Sequence, residues 1–376
     1  MTDINFYDFD FNLLATFSRV ISFNFEKKYC GFGTAELHFS INEKELIYML
    51  ERNPYLFFVA GENSAVVTGW KLDEDIAVFA RTTEWLLTKR GAEPFVKENA
   101  APEDIVAEAV LAAAGDFVEV GELHKSGRVK GYSIEDVLVL YDVIRNVLGP
   151  EGLGFSLEPD IKNKKFVFSV YSGNEVLCLF SPSARTAFDM TYVVEKQDMA
   201  TNSGWYNCKL INMGDWDASA NTPSLSNKRA ENAFKYYRIS KSYNSRFGLN
   251  CVAGQYLYCD TADGAWKVSA ERPDRVWQYH NGQGETGAKK WDAVISGVKT
   301  EAEALAQLSS MKAEKSISAE TKSVEYGKDY RLGDIVNVQF EFGEFKNAEK
   351  KRISEVHIYC DVNESGIKPV FGSLEE

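Results

Sequence analysis

The residues of this 376-residue chain whose types and spacing could do chemistry are few and scattered. Gly282-Gln-Gly-Glu-Thr-Gly287 fits the pattern G-x-G-x-x-G and follows a strand-like run, Arg275 to Tyr279, so its amides could in principle cradle a pyrophosphate. Glu285 would set a carboxylate where that pyrophosphate sits, and no βαβ pattern surrounds it, so the stretch reads as a turn. The four histidines, His38, His124, His280 and His357, lie far apart and none pairs at metal-ligand spacing. His38 and His357 fall on the polar sides of alternating runs, where a histidine is solvated. Serine or cysteine nucleophile motifs such as G-x-S-x-G are absent, and sequence alone cannot sort the carboxylates into an acid and a base. No catalytic residue, cofactor-binding residue, metal ligand or cofactor is therefore assigned, and the chain is read as a non-enzyme.

Two other features carry a possible binding role. Five of the seven tryptophans lie between Trp205 and Trp291, with Tyr236, Tyr237, Tyr243, Tyr256, Tyr258 and Tyr279 among them. Exposed, such rings stack on sugars or anchor a protein contact; buried, they fill a β core or a subunit contact, which is their commoner use. The acidic run Asp73-Glu-Asp75 is a solvated hairpin tip in the simplest reading, and a ring of carboxylates facing a lumen in the sharper one.

Bulk composition narrows the class. Against 42 Lys and Arg stand 55 Asp and Glu, a formal charge of −13, so the chain is repelled by phosphate backbones and is no sequence-specific nucleic-acid reader. A conduit through which nucleic acid slides without sticking stays compatible with that charge. The six cysteines (Cys30, Cys178, Cys208, Cys251, Cys259, Cys360) form no C-x-x-C pair and read as reduced, mostly buried thiols. Asp3, Asp8 and Asp10 replace the basic start of a signal peptide, and no apolar run reaches the ~18 residues that span a bilayer, so neither secretion nor membrane insertion is expected.

The elements that must position these residues are mostly strands. Alternation over Phe17 to Glu26, the Gly31-Phe-Gly33 turn and alternation over Thr34 to Ile41 predict a hairpin. Asn42, with Glu45 three residues on, predicts a capped helix over about Glu43 to Arg52, stopped by Pro54. Strands follow at Tyr55 to Ala60, Ser64 to Trp70 and Ile76 to Ala80, then a short helix from Thr83 to Arg90. Pro102 and Ser133 open helices to about Ala114 and Leu148. Strands return at Phe166 to Val170, Val176 to Phe180, Met190 to Glu195 and Trp205 to Ile211. Between Asp215 and Gly297 short turn-separated strands are expected, and a helix over Glu301 to Lys312.

The clearest strand runs from Ile335, with Val336, Val338, Phe340 and Phe342 on one face. A loop, Gly343 to Lys350, leads into Arg352 to Cys360, where Ile353 breaks the parity of Val356 and Ile358 and places a bulge near Ser354. Ser365-Gly366 turns the chain into Ile367 to Phe371. Such a meander is marginal alone and needs partners from elsewhere in the chain. The fold class is mainly β with some α (α+β), divided as 1–98, a first β-barrel-like domain completed by C-terminal strands; 99–150, a helical connector; 151–213 with 298–325, a second β-rich domain; 214–297, an aromatic-rich insertion; and 326–376, the meander.

The order of several segments resembles the tail-tip or baseplate hub proteins of long-tailed bacteriophages and prophages. The segments are Gly31-Phe-Gly-Thr-Ala-Glu-Leu-His-Phe39, Val67-Thr-Gly-Trp70, and Ile76-Ala-Val-Phe-Ala-Arg-Thr-Thr-Glu-Trp-Leu-Leu-Thr-Lys-Arg90. Then come the helix Ser133 to Leu148, Gly154-Phe-Ser-Leu, Lys165-Phe-Val-Phe-Ser-Val-Tyr171, the Asp-Tyr-x-Leu-Gly-Asp-x-Val segment Asp329 to Val336, and Val370-Phe-Gly372. Their collinear order over roughly residues 15–210 and 300–373 carries the likeness, since each alone is generic; the region from Asp215 to Gly297 is longer than in that family. The resemblance implies two similar β-barrel domains per chain and three chains per ring, presenting six near-equivalent positions to a hexameric tail tube. It implies a virion location at the tail tip, in the bacterial cytoplasm during assembly, with tail-tube and distal-tip proteins as partners and a passage for DNA. A tail-associated carbohydrate-binding receptor module, built on the aromatic region, is the alternative. Because the sequence stops at Glu376, four residues past the last hub feature, no appended wall-degrading domain is expected.

Overall fold

The fold is taken from a computed structural model that describes residues 3–193, 203–220, 233–246, 248–259, 266–282, 287, 292–310, 314–342 and 345–374. It is mainly β with a minority of helix, and the chain divides into two units, Met1–Met190 with Ser316–Glu376, and Thr191–Lys315.

In the first unit β1 (Ile4–Asp8) and β2 (Leu13–Phe17) pair antiparallel. The strand expected from Phe17 to Glu26 is therefore two: Phe17 ends β2, and β3 (Ser22–Lys28) starts anew with different neighbours, leaving Ile21 exposed. β4 (Thr34–Phe39) completes the hairpin, with Phe23 opposite Leu37 and Phe25 opposite Ala35. Helix α1 (Lys44–Arg52) is capped by Glu43 without a side-chain bond, so the expected Asn42–Glu45 box does not form; burial of Leu46, Met49 and Leu50 holds it instead. β5 (Leu56–Ala60), β6 (Asn63–Leu72) and β7 (Ile76–Thr82) extend the sheet. One core gathers Phe6, Phe17, Phe25, Leu37, Phe39, Phe58 and Val78.

A second core lies on the other side of β5 and β6, because Phe57 and Val66 face away from Phe58 and Ala65. After a 3-10 helix (Thr83–Lys89) it is built by β8 (Gly91–Ala92), β9 (Phe95–Ala100), α2 (Pro102–Ala114), β10 (Val118–Leu123), β11 (Lys130–Ile134), β12 (Leu138–Val139), α3 (Leu140–Leu148), β13 (Gly154–Asp160) and β14 (Lys165–Tyr171). The helix expected from Ser133 begins only at Leu140: Ser133 and Ile134 pair instead with Val96 and Phe95 of β9. Strands β10, β14 and β13 form one small sheet packed on α2 and α3, so the boundary placed at residue 150 in the sequence falls inside this layer. β15 (Glu175–Phe180) and β16 (Thr186–Val193) then leave it.

The second unit holds β17 (Gly204–Lys209), β18 (Ile211–Asp217), β19 (Lys235–Lys241), β20 (Tyr243–Arg246), β21 (Leu249–Cys251), β22 (Tyr256–Cys259), β23 (Trp266–Ser269), β24 (Arg275–His280), β25 (Ala293–Val298) and α3's successor α4 (Glu301–Ser310). Sheet β18-β19-β22-β23 closes over Trp216 and Trp266. Sheet β24-β17-β25 buries Tyr206, Cys208 and Ile295 beneath Ala304 and Leu308 of α4.

Back in the first unit, β26 (Glu314–Thr321), β27 (Ile335–Phe342), β28 (Phe345–Cys360) and β29 (Ser365–Gly372) surround a core of Phe180, Ile317, Tyr330, Val336, Val338, Ile353, Val356 and Phe371. The loop expected up to Lys350 is strand from Phe345, because β27 and β28 pair in unbroken register from Ile335–Arg352 to Glu341–Lys346. A register shift between Ile353 and Glu355 places a bulge at Ser354, which turns both Ile353 and Val356 inward. Past it, β28 pairs with β29 on one side and β3 on the other. The main sheet runs β16-β26-β29-β28-β3-β4-β7-β6-β5-β1-β2, with β27 on β28 and β15 parallel to β27; among the described residues its path is open.

Candidate functional site: a joint at Tyr29 and a charged sheet face

Tyr29, the residue after β3, is buried and meets four segments distant in sequence. Its hydroxyl donates to the Gly152 carbonyl at 2.9 Å and accepts from the Gly173 amide at 3.2 Å. Its amide donates to Ser354 O in the bulge of β28 at 2.8 Å, and its carbonyl accepts from Phe155 N at 3.3 Å. The ring slots between two glycines: a Cβ on Gly154 would stand 2.5 Å from it and one on Gly333 2.2 Å, and Gly333 also takes φ +91°. Gly333 thus has two independent reasons to lack a side chain.

The Asp-Tyr-x-Leu-Gly-Asp-x-Val segment explains itself here. Asp329 Oδ2 accepts from Glu325 N at 2.8 Å, and Tyr330 packs edge-on against Phe180. Asp334 takes Asn174 N on one oxygen and Arg331 N on the other, each at 2.8 Å, which fixes the turn into β27. Arg81-Thr-Thr-Glu84 acts similarly from the other side. Thr82 exchanges hydrogen bonds with Gly33 (2.9 and 3.1 Å), Thr83 Oγ1 donates to Leu157 O, and Glu84 Oε1 accepts from Leu157 N at 3.3 Å. Burial pushes the Glu84 carboxyl up, against the hydrogen bonds from Thr82 and Leu157. A cleft of about 560 Å³ opens beside the joint, reached by Lys27, Glu84, Tyr171, Asn174 and Asp334. The segments that are far apart in the chain and generic one by one are thus neighbours, and what they build is a joint.

The second feature is the polar face of β28, β3 and β4, which forms one wall of an open groove of about 760 Å³. His357 stands opposite Glu26 across β28 and β3, and Glu355 opposite Lys28. The Lys28 ammonium lies 3.1 Å from Glu26 and 3.0 Å from Glu355, and His357 Nε2 lies 3.4 Å from Glu355. The hydrogen bond with His357, joined by Lys28, holds the Glu355 carboxyl down at about 2 against the upward pull of burial. Glu26, Glu355 and His357 bring their ligand atoms within 4.8 Å of one another, a grouping able to hold a metal ion, but the Lys28 ammonium already supplies the positive charge there. On β4, His38 lies 2.7 Å from Asp75 and 2.8 Å from Glu36. Burial works to lower its pKa, and the two carboxylates outweigh it and raise it.

Neither histidine is simply solvated, as the sequence reading had them. The signal that was available is Glu-x-His, present at Glu36–His38 and at Glu355–His357: residues two apart on a strand share a face. His124 is exposed and His280 lies on β24. Asp73 and Asp75 form the expected hairpin tip, closed by the Asp73 amide on Asp75 O. Residues 283–286 of the G-x-G-x-x-G stretch, and Trp291, lie outside the described residues. The remaining tryptophans of the aromatic region divide: Trp216 and Trp266 are core, whereas Trp205 and Trp277 are 45% and 48% exposed. No described helix is long and apolar enough to cross a membrane.

No family model matches the chain, and no curated protein matches it significantly in sequence. Solved structures do. The 43 kDa tail protein of prophage MuSo2 from Shewanella oneidensis superposes with a TM-score of 0.50 at 11% identity, over 99% of this chain and 99% of that one. A tail protein from Neisseria meningitidis MC58 gives a TM-score of 0.50 at 7% identity, over 98% of this chain and 95% of that one. The chain has the fold of prophage tail proteins.

Proposed function

We propose that the protein is a structural hub of a phage or prophage tail, in which three copies form a ring joining a hexameric tail tube to the distal tip. The observation that carries this reading is the shared strand. β28 lines the core of the C-terminal strands with Ile353 and Val356, and extends the N-terminal sheet through β3. Two strand bodies fused along one wall are what a pseudo-sixfold ring of three chains requires, with each body serving as one barrel-like wall segment and edge strands pairing between copies. The likeness in fold to prophage tail proteins supports the location, in the virion tail after assembly in the bacterial cytoplasm. The formal charge of −13 suits a channel through which DNA passes without being gripped. No catalytic step is assigned: the joint at Tyr29 is spent on backbone groups, and Lys28 bridges the two carboxylates of the charged face.

Light scattering of the purified chain, alone and with its tail-tube protein, tests the reading. A mass near three times 42.3 kDa, with a ring and central hole in negative stain, is expected. A monomer under both conditions overturns it.

A further inference from the structure

Among the described residues, the solvent side of sheet β24-β17-β25 carries rings where its other side carries core. Trp205 pairs with Tyr279 across β17 and β24, Asn207 pairs with Trp277, and Val294 of β25 flanks Trp205. Alternation puts all five on one face, opposite Tyr206, Cys208 and Ile295. Trp205, Trp277 and Val294 are 45%, 48% and 69% exposed. The Trp205 and Tyr279 rings lie 5.1 Å apart and tilted by 52°, so together they make a shallow trough and not a flat apolar surface. The Tyr279 hydroxyl donates to Asp292 Oδ1 at 2.9 Å on its rim. Beside Trp277, the Asn207 carboxamide oxygen is covered and accepts no hydrogen bond among the described residues, which costs some stability.

We propose that this face is a stacking site for a neutral oligosaccharide. A pyranose offers an apolar C–H face that fits against tilted indole and phenol rings, and a rim of hydroxyls that pair with carboxylate oxygens such as those of Asp292 beside Tyr279. A protein partner fits poorly: a specific interface covers about 800 Å² per side, far more than three rings and a valine. Stacked nucleic-acid bases would bring phosphates to a chain of formal charge −13, and Arg275 at the end of the face is already turned to Val298 O at 3.1 Å. The site lies wholly within Thr191–Lys315 and does not depend on the hub reading.

The test is a tryptophan-fluorescence titration of the full chain with chitohexaose, cellohexaose and maltohexaose. Saturable quenching by at least one is expected. Trp205→Ala and Trp277→Ala should each weaken it about tenfold, the factor one good ring stack supplies. Trp277→Phe, which keeps a ring, should stay within about threefold, and Trp70→Ala, a partly exposed tryptophan of the first unit, should change nothing. Quenching by none of the three sugars, or quenching that survives Trp205→Ala with Trp277→Ala, overturns the proposal. So does a change of oligomeric mass in that double variant, which would make the face a contact between copies. Loss of sugar binding in Trp277→Phe at unchanged thermal stability, read by titration calorimetry because the substitution removes a fluorophore, overturns the stacking role.

Discussion

The guanidinium of Arg352 lies 4.8 Å over the ring of Tyr29, and both residues are buried. Arg352 Nη1 also donates to the Gly333 carbonyl at 3.0 Å, so the same arginine covers the tyrosine and ties down the glycine that its ring abuts. Strand β28, the turn into β27 and the end of β3 therefore share one contact.

From this contact, Gly333→Ala should cost roughly 2–5 kcal/mol, adding left-handed backbone strain to a clash with a buried ring. Tyr29→Phe, which keeps the ring and loses only the bonds to Gly152 and Gly173, should cost about 1–2 kcal/mol. Urea unfolding followed by circular dichroism ranks the two. Equal costs would show that the ring's slot is not the tight element.

Glu355 makes stability depend on acid. A depressed carboxyl adds stability that is complete above its unfolded value, about 4.3, and is lost as pH falls through its folded value of about 2. Glu355→Gln should thus melt below the wild type at about pH 6, and the gap should close toward about pH 2. A gap that stays constant with pH would show that Lys28 and His357 do not stabilise the charged form.

His38 works with the opposite sign. A raised histidine adds stability that is complete below its unfolded value, about 6.5, and is lost as pH climbs through the folded one. His38→Gln should therefore differ most from the wild type at about pH 5 and converge with it in mildly alkaline buffer. Thermal melts across that range read the difference directly.

Thiol labelling checks the cores. Cys178, Cys208, Cys251 and Cys259 are buried, and burial raises the Cys178 and Cys208 thiols to about 11. In the native protein they should resist Ellman's reagent while the partly exposed Cys360 reacts, and all six should react in guanidinium. Fast labelling of Cys208 would mean that α4 does not cover its sheet.

What the sequence could reveal was whatever one strand or helix decides locally. The bulge at Ser354 was legible because Ile353 breaks the parity of Val356 and Ile358, and a broken parity has a local cause. The helix from Ser133 was misread for the converse reason. Its apolar spacing suits a helix, but β9 captures Ser133 and Ile134, and pairing with a strand that far away leaves no trace in a local window. The joint was visible only as scattered glycines, since the reason for Gly154 and Gly333 is a tyrosine elsewhere in the chain. The Glu-x-His pairs could be seen, but the lysine on β3 that joins Glu355 could not.

Lys28 of β3 pairs with Glu355 of β28, and most of the polypeptide lies between them. While the ribosome is still at work, the N-terminal body must wait with the β3 flank uncovered, its hydrogen-bonding groups open to any passing strand. Folding of that body can finish only after β28 has emerged, so newly made chains are most prone to clump before then, and a ribosome that stalls short of β28 would release a sticky fragment.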